Sequence, residues 1–285
     1  MKIIQTKKEM LSWSSLKRNQ GFTLGFVPTM GAFHEGHLSL IRAAKKECDL
    51  AIVSLFVNPL QFGPKEDFSV YPRDLKGDQD KAKKAGSDVL FIPKDQELFS
   101  KQFQSSVLVE LLSKPLCGKF REGHFQGVTT VVTKLFHLVN PHVAFFGEKD
   151  FQQLTIIKQM VLDLDFPIRI VAMPTVREPD GLAMSSRNQT LSSENRKWAK
   201  RFPKTLFQAR EMANQRSRSL PEILKWAKAT LEEGGKISVE YLEAVDPNTL
   251  EEVSSLQDAK EILLASAVRV GKVRLIDHVL LGKKS

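Results

Sequence analysis

Over the first 175 positions, apolar residues fall into short runs separated by amphipathic stretches. Leu50 to Val57 reads Leu-Ala-Ile-Val-Ser-Leu-Phe-Val, a nearly unbroken apolar run that fits a parallel strand buried on both faces. Thr23–Val27, Asp88–Pro93, Val143–Phe146 and Ile168–Ala172 have similar strand character, and residues 1–21 read as a short strand and a helix. Between these runs the period changes. His34–Lys46 places Leu38, Ile41 and Ala44 on one helical face. Leu75–Ala85 predicts a charged helix, Val128–Leu138 a helix stopped by Asn140-Pro141, and a further helix follows Asp150 to about Leu162. Strand, helix and strand in alternation predict βαβ units, which are right-handed by rule. Residues 94–127, with Gly118, Gly123 and Gly127, read as irregular, and loops of that length tend to be functional or mobile.

After Pro174 the pattern changes. Glu178-Pro179-Asp180-Gly181 is a turn signal. Trp198, Phe202 and Leu206 share helical spacing, and Pro203 predicts a break or a new helix start there. Ile237–Ala244, Ile262–Val270 and Val273–Leu281 read as strands, with Gly271-Lys272 suited to a hairpin between the last two. The chain is thus predicted to be α/β, with a parallel-sheet unit over residues 1–176 and a smaller α+β unit over residues 177–285.

Composition narrows this picture. The 285 residues suit one large or two modest domains, and no apolar run approaches the ~18 residues of a membrane-spanning helix. Met1–Met10 carries lysines without an apolar core, which is not a secretory-signal pattern. The two cysteines, Cys48 and Cys117, form no Cys-x-x-Cys pair and read as free thiols of a reducing cytoplasm. The formal charge of +9 suits either nucleic acid or anionic small molecules. Ten basic and three acidic residues lie between Glu194 and Lys228. That stretch is far in sequence from the candidate chemistry and reads as a solvated helix face, not a nucleic-acid patch.

The candidate chemistry sits where strands end. Phe26-Val27-Pro28-Thr29-Met30-Gly31-Ala32-Phe33-His34-Glu35-Gly36-His37 carries an apolar strand through a tight turn into a helix bearing His-x-Gly-His. At a helix N-terminus, free backbone N–H groups and the dipole favour anions, and histidines three apart share one face. Asn58-Pro59-Leu60-Gln61 follows the second central strand, and Gly147-Glu148-Lys149-Asp150 follows the fourth. In an open α/β sheet, ligands bind outside such ends. The chain has neither Gly-x-Gly-x-x-Gly nor a Walker lysine motif, so the phosphate site is of another kind. Ser185-Ser186-Arg187 offers two hydroxyls and a guanidinium for oxyanions.

These motifs, together with Phe56-Val57-Asn58-Pro59-Leu60-Gln61-Phe62, Phe146-Gly147-Glu148-Lys149-Asp150-Phe151-Gln152-Gln153 and Asp180-Gly181-Leu182-Ala183-Met184-Ser185-Ser186-Arg187-Asn188, resemble the pantothenate synthetase (pantoate–β-alanine ligase) family over nearly the whole chain. The resemblance implies a Rossmann-like parallel-sheet domain with a small C-terminal domain, in a cytoplasmic homodimer that uses ATP and Mg²⁺. It implies that pantoate attacks the ATP α-phosphate to give pantoyl adenylate and pyrophosphate, and that β-alanine then displaces AMP to give pantothenate. It places ATP along Met30, Gly31, Ala32, Phe33, His34, Glu35, Gly36 and His37, and along Gly147, Glu148, Lys149, Asp150, Val176, Met184, Ser185, Ser186 and Arg187. His37 would act as an acid assisting the leaving phosphate, with His34, Lys149 and Arg187 beside it in catalysis. Gln61 and Gln153 would hold pantoate, with Asn58 behind them. Arg121 and His124 resemble a phosphate- or β-alanine-facing pair, and Asp78 is a candidate either for the Mg²⁺ sphere or for a solvated helix position. Tyr71 would pack near the pantoate entrance or stabilise its loop. Phe33 stands where the family usually has Leu, a change of packing. A cofactor adenylyltransferase and a nucleotide-sensing or RNA-binding protein are the competing classes. The paired glutamines argue against the first, and the intact His-x-Gly-His, Lys149 and Ser-Ser-Arg set against the second. The partners implied are small molecules, with neither nucleic acid nor membrane.

Overall fold

A computed structural model describes residues 1–64 and 66–282. Six parallel strands form one sheet: β1 (Lys2–Ile4), β2 (Leu24–Thr29), β3 (Leu50–Leu55), β4 (Val89–Phe91), β5 (Val143–Gly147) and β6 (Arg169–Met173), in the order β1-β4-β3-β2-β5-β6. Ala51–Leu55 is buried throughout, as an apolar run with helices on both faces requires. The order reverses between β2 and β5, which pair directly through Gly25–Val143 and Phe26–Ala144. The carboxyl ends of these two strands therefore border the crevice that such a reversal opens.

Helices α1 (Lys7–Asn19), α2 (Glu35–Glu47), α3 (Leu75–Lys84), the single turn α4 (Asp95–Leu98), α5 (His124–Val139) and α6 (Phe151–Asp163) connect the strands. Each sheet face has its own apolar layer. Phe26, Ile52, Phe91, Phe136 and Ile157 lie in one, and Val27, Ile41, Val53, Leu90 and Phe145 in the other. The irregular reading of 94–127 holds except for α4 and a 3-10 turn at Leu116–Lys119, and α5 begins at His124, four residues earlier than its apolar periodicity suggests. Gly123 permits that start by adopting φ +73°. At the other end Asn140 takes the left-handed cap ahead of Pro141.

Helices α7 (Ser193–Ala199), α8 (Arg201–Asn214) and α9 (Leu220–Glu232) pack on an antiparallel sheet of β7 (Ile237–Val245), β8 (Ile262–Val270) and β9 (Val273–Leu281). Phe202, Leu206, Ile223, Leu231, Leu264 and Val268 form its core. The helix breaks at Lys200, and Pro203 falls in the first turn of α8, where a missing N–H costs nothing. Gly271-Lys272 closes the β8–β9 hairpin across the Val270–Val273 pair. A smaller apolar cluster joins the two sheets' regions, bringing Leu116, Cys117 and Ile156 against Tyr241, Leu263 and Ala265. Arg177 forks onto Asp277 of β9 at 2.7 and 2.9 Å, and the aspartate is almost fully buried. Among the described residues, no helix is long and apolar enough to cross a membrane.

Candidate active site

A cavity of about 230 Å³ opens at the ends of β2 and β5. Its wall includes Met30, His34, Gly36, His37, Asn58, Gln61, Arg121, His124, Gly147, Lys149, Asp150, Gln153, Val176, Met184, Ser185, Ser186 and Arg187. Residues expected from five separate stretches of sequence thus meet in one space. Gly31, Ala32, Phe33, Glu35, Glu148 and Asp78 do not line it. Phe33 is buried with its ring against His37, and Glu35 points out to Arg42.

His34 is the N-cap of α2 and His37 its third residue, so both stand at the positive end of the helix. Their rings lie 4.1 Å apart. The His34 backbone N–H donates to His37 Nδ1 at 3.3 Å. His37 Nδ1 is therefore an acceptor, and its ring proton sits on Nε2. Burial, reinforced by His34, pushes the His37 pKa down to about 3; burial and the Lys149 ammonium push His34 to about 4. Both imidazoles are neutral at pH 7. His37 is thus a neutral imidazole with its Nε2–H free to donate, because a second cation beside Lys149 in a desolvated pocket is unfavourable. His34 Nδ1 is buried without a hydrogen-bond partner among the described residues.

The amide end of the cavity is oriented by a chain of hydrogen bonds. Asn58 Oδ1 accepts the Leu60 N–H, so its Nδ2 faces Gly127 O and Gln61 Oε1, both at 3.0 Å. Gln61 therefore presents its amide N–H groups to the cavity, opposite Gln153 of α6. The floor is Val128, Val131, Val132 and Leu135 of α5 with Phe62 and Phe146. That stripe was visible as helical periodicity, which marks a buried face without telling core from binding pocket.

Arg121 and His124 line the cavity but are engaged with the protein. Arg121 Nη1 lies 3.0 Å from His124 Nε2, and His124 Nδ1 lies 2.8 Å from Gln61 O. A guanidinium only donates, so Nε2 is the acceptor and Nδ1–H donates to the carbonyl. Burial and Arg121 hold the His124 pKa near 3. Arg121 also pairs with Glu66 at 2.6 and 2.7 Å. The pair buttresses Gln61, with both His124 nitrogens engaged by protein partners.

The cationic end holds Lys149, 3.4 Å from Asp150, and Arg187, which forks onto Asp67 at 2.7 and 2.8 Å above the Tyr71 ring. Ser186 donates to the Gly31 and Ala32 carbonyls, as Tyr71 does to Gly31, so its proton serves the turn. Among the described residues Ser185 only accepts, from the Arg187 N–H, which leaves its own proton for a ligand. Asp78 is buried, accepts the Phe33 N–H at 2.5 Å, and burial raises its pKa. It shapes the turn and does not line the cavity. Glu66 and Asp67 are the functional-site residues that sequence reasoning missed; adjacent acids in a loop carry no signal until their arginine partners are known.

A nucleotide-binding α/β enzyme with a sheet-end site at the switch point is the class that this fold and cavity define. The family model for pantoate-β-alanine ligase matches residues 2–280. The pantothenate synthetase of Desulfatibacillum aliphaticivorans is 48% identical over 281 residues, covering 99% of each chain, and that of Heliobacterium modesticaldum 47% identical over 280 residues, covering 98% of this chain and 99% of the relative. A pantothenate synthetase structure from Thermus thermophilus superposes with a TM-score of 0.92 at 44% identity, covering 98% of this chain and 99% of that one. A ligase from Francisella tularensis, solved with β,γ-ATP and β-alanine, matches at 0.80 and 34% identity over 98% and 97% of the two chains. The chain belongs to the pantoate–β-alanine ligase family.

Proposed function

We propose that this protein condenses pantoate with β-alanine, converting ATP to AMP and pyrophosphate through pantoyl adenylate. The observation that carries this reading is the division of one cavity into an apolar end bearing the Gln61 and Gln153 amides and a cationic end bearing Lys149, Arg187 and two neutral histidines. A small hydroxy acid suits the first end and a triphosphate the second. The Francisella relative's β,γ-ATP and β-alanine support the same substrates here. In this reading residues 1–176 form the ATP- and pantoate-binding unit, and residues 177–285 a smaller α+β unit that carries the Ser185–Arg187 loop.

Gln61 and Gln153 orient the pantoate carboxylate towards the α-phosphate. An oxygen of that carboxylate bonds to phosphorus as the bond to the β-phosphate oxygen breaks, and pyrophosphate leaves with the electron pair. Lys149, the His37 Nε2–H and the Ser185 hydroxyl stabilise the charge that develops on the phosphates. Such preorganised donors act in a site shielded from water and need no reorganisation. The β-alanine amine then attacks the acyl carbon, the bond to AMP breaks, and the amine gives up a proton. Asp150 is the one carboxylate lining the cavity among the described residues. That donor set fits a Mg²⁺ ion carried by the triphosphate and its waters better than a protein-built cage. When bound, the ion would offset phosphate charge, with Asp150 the residue placed to hold it.

Pyrophosphate release from ATP and Mg²⁺ tests the reading. Pantoate alone should give a burst near one equivalent, and turnover should require β-alanine. Absence of any pantoate-dependent release from folded protein that binds ATP would overturn it. The same reading places the enzyme in the cytoplasm, where buried free Cys48 and Cys117 stay reduced, as a homodimer, which sedimentation equilibrium would check.

A further inference from the structure

A second cavity, of about 500 Å³, adjoins the first and shares Arg121, Lys149, Asp150, Ser185 and Arg187 with it. Its far wall is the β8–β9 hairpin, through Arg269, Lys272 and Arg274. The charges around it do not cancel. Glu66 is matched by Arg121, Asp67 by Arg187, Asp150 by Lys149, and Asp277 by Arg177. On the hairpin side, Glu240 alone serves two cations, Arg274 at 2.6 Å and Arg269 at 3.4 Å. Lys272 is exposed and has no carboxylate partner among the described residues. Among the described residues the surplus is two positive charges, both contributed by the hairpin. They line the same cavity as Lys149, Ser185 and Arg187, which would hold the outer phosphates. A cleft whose charges sum to one sign concentrates the opposite ion.

We propose that this second cavity receives the pyrophosphate released in the first half-reaction, with Lys272 and Arg269 as its docking cations on the way out. The inference rests on the ligase reading above. After the α-phosphate bond breaks, pyrophosphate needs a way out of the cationic end of the first cavity. The apolar floor of the first cavity offers a polyanion nothing, whereas the adjoining cavity holds unmatched positive charge.

The test is inhibition of pantothenate formation by added pyrophosphate, at fixed ATP, in the full-length protein, Lys272→Gln, Lys272→Glu and a control, Lys228→Gln, on the exposed face of α9. The pyrophosphate concentration for half-inhibition should rise about fivefold in Lys272→Gln, the scale for one partly screened charge, and further in Lys272→Glu. The control should match the unmodified protein. Equal half-inhibition in all four proteins would overturn the proposal. So would an equal rise in the control, which would reduce the effect to net charge, or a change confined to the KM for β-alanine, which would make the cavity an entrance for that substrate. If the unmodified protein releases no pyrophosphate with pantoate, the ligase reading itself fails, and this inference with it.

Discussion

His124 offers a sharp test of how the pantoate end is held, because both of its ring nitrogens are assigned by their partners. Protonating Nε2 would set an N–H against the Arg121 guanidinium, so the folded protein keeps the ring neutral down to about pH 3. The unfolded chain takes up that proton near pH 6.5. The folded pKa lies below the unfolded one. Stability from this residue is therefore complete above about pH 7.5 and is lost as pH falls below 6.5, since the unfolded state binds more protons. Between pH 7.5 and 5.5 the loss is about 1.4 kcal/mol for His124. His34 and His37, with folded values of about 4 and about 3, have the same sign, and the three together reach roughly 4 kcal/mol as an upper bound. The lowered carboxylates, such as Glu66 and Asp67, contribute only below about pH 5. Asp78 is raised and works in the opposite direction. Its share cancels when two proteins are compared across the same interval. Urea unfolding of the unmodified protein and His124→Asn at both pH values is the assay. The Asn amide can still donate to Gln61 O but does not titrate. The fall in unfolding free energy from pH 7.5 to 5.5 should be about 1.4 kcal/mol smaller in the variant. An equal fall in both, or a His124 NMR titration centred near 6.5, would refute the assignment.

Three further outcomes are expected. His37→Ala should lower single-turnover adenylate formation by about 10²–10³-fold, the scale for one preorganised donor, with a cooperative urea transition retained and its midpoint only slightly lowered by the lost cap acceptor. Gly127→Ala should raise the KM for pantoate and destabilise the protein by about 1–3 kcal/mol. Its new Cβ would sit 2.2 Å from the Leu60 carbonyl oxygen, displacing the turn that carries Asn58 and Gln61; paired kinetics and denaturation measure both effects. Arg177→Ala should cost about 3 kcal/mol in urea unfolding by stranding buried Asp277, and Arg177→Ala/Asp277→Asn should recover part of it.

Local signals along the chain carried most of the architecture. The nearly all-apolar Leu50–Val57 run announced the buried parallel strand Leu50–Leu55, because a strand covered on both faces tolerates such a run. Asn140-Pro141 ended α5 because proline cannot continue a helix and asparagine accepts the left-handed cap. The His-x-Gly-His turn and the Ser185–Arg187 loop were recognisable as motifs, since their chemistry depends on short spacing. The start of α5 was not legible, because residues 124–127 earn their helix through burial against the Leu60–Gln61 turn and not through any periodicity of their own.

The sequence alone determined which residue types could meet a nucleotide and a small hydroxy acid, and that they stood at strand ends. Tertiary structure decided which atoms are free to act. Asp78 is buried beneath the Gly31 turn, where one carboxylate oxygen accepts the Phe33 N–H, and stands outside the cavity lining. Ser186 became a support for the Gly31 turn, while Ser185 kept its proton. His37 became a neutral donor, a state set by burial and by a neighbouring ring and not by its own chemistry. Glu66 and Asp67 acquired meaning only when the fold brought Arg121 and Arg187 to them. The reason is the same in each case. Residue identity and spacing are local properties of the chain, whereas protonation and hydrogen-bond availability depend on desolvation and on partners brought close by folding.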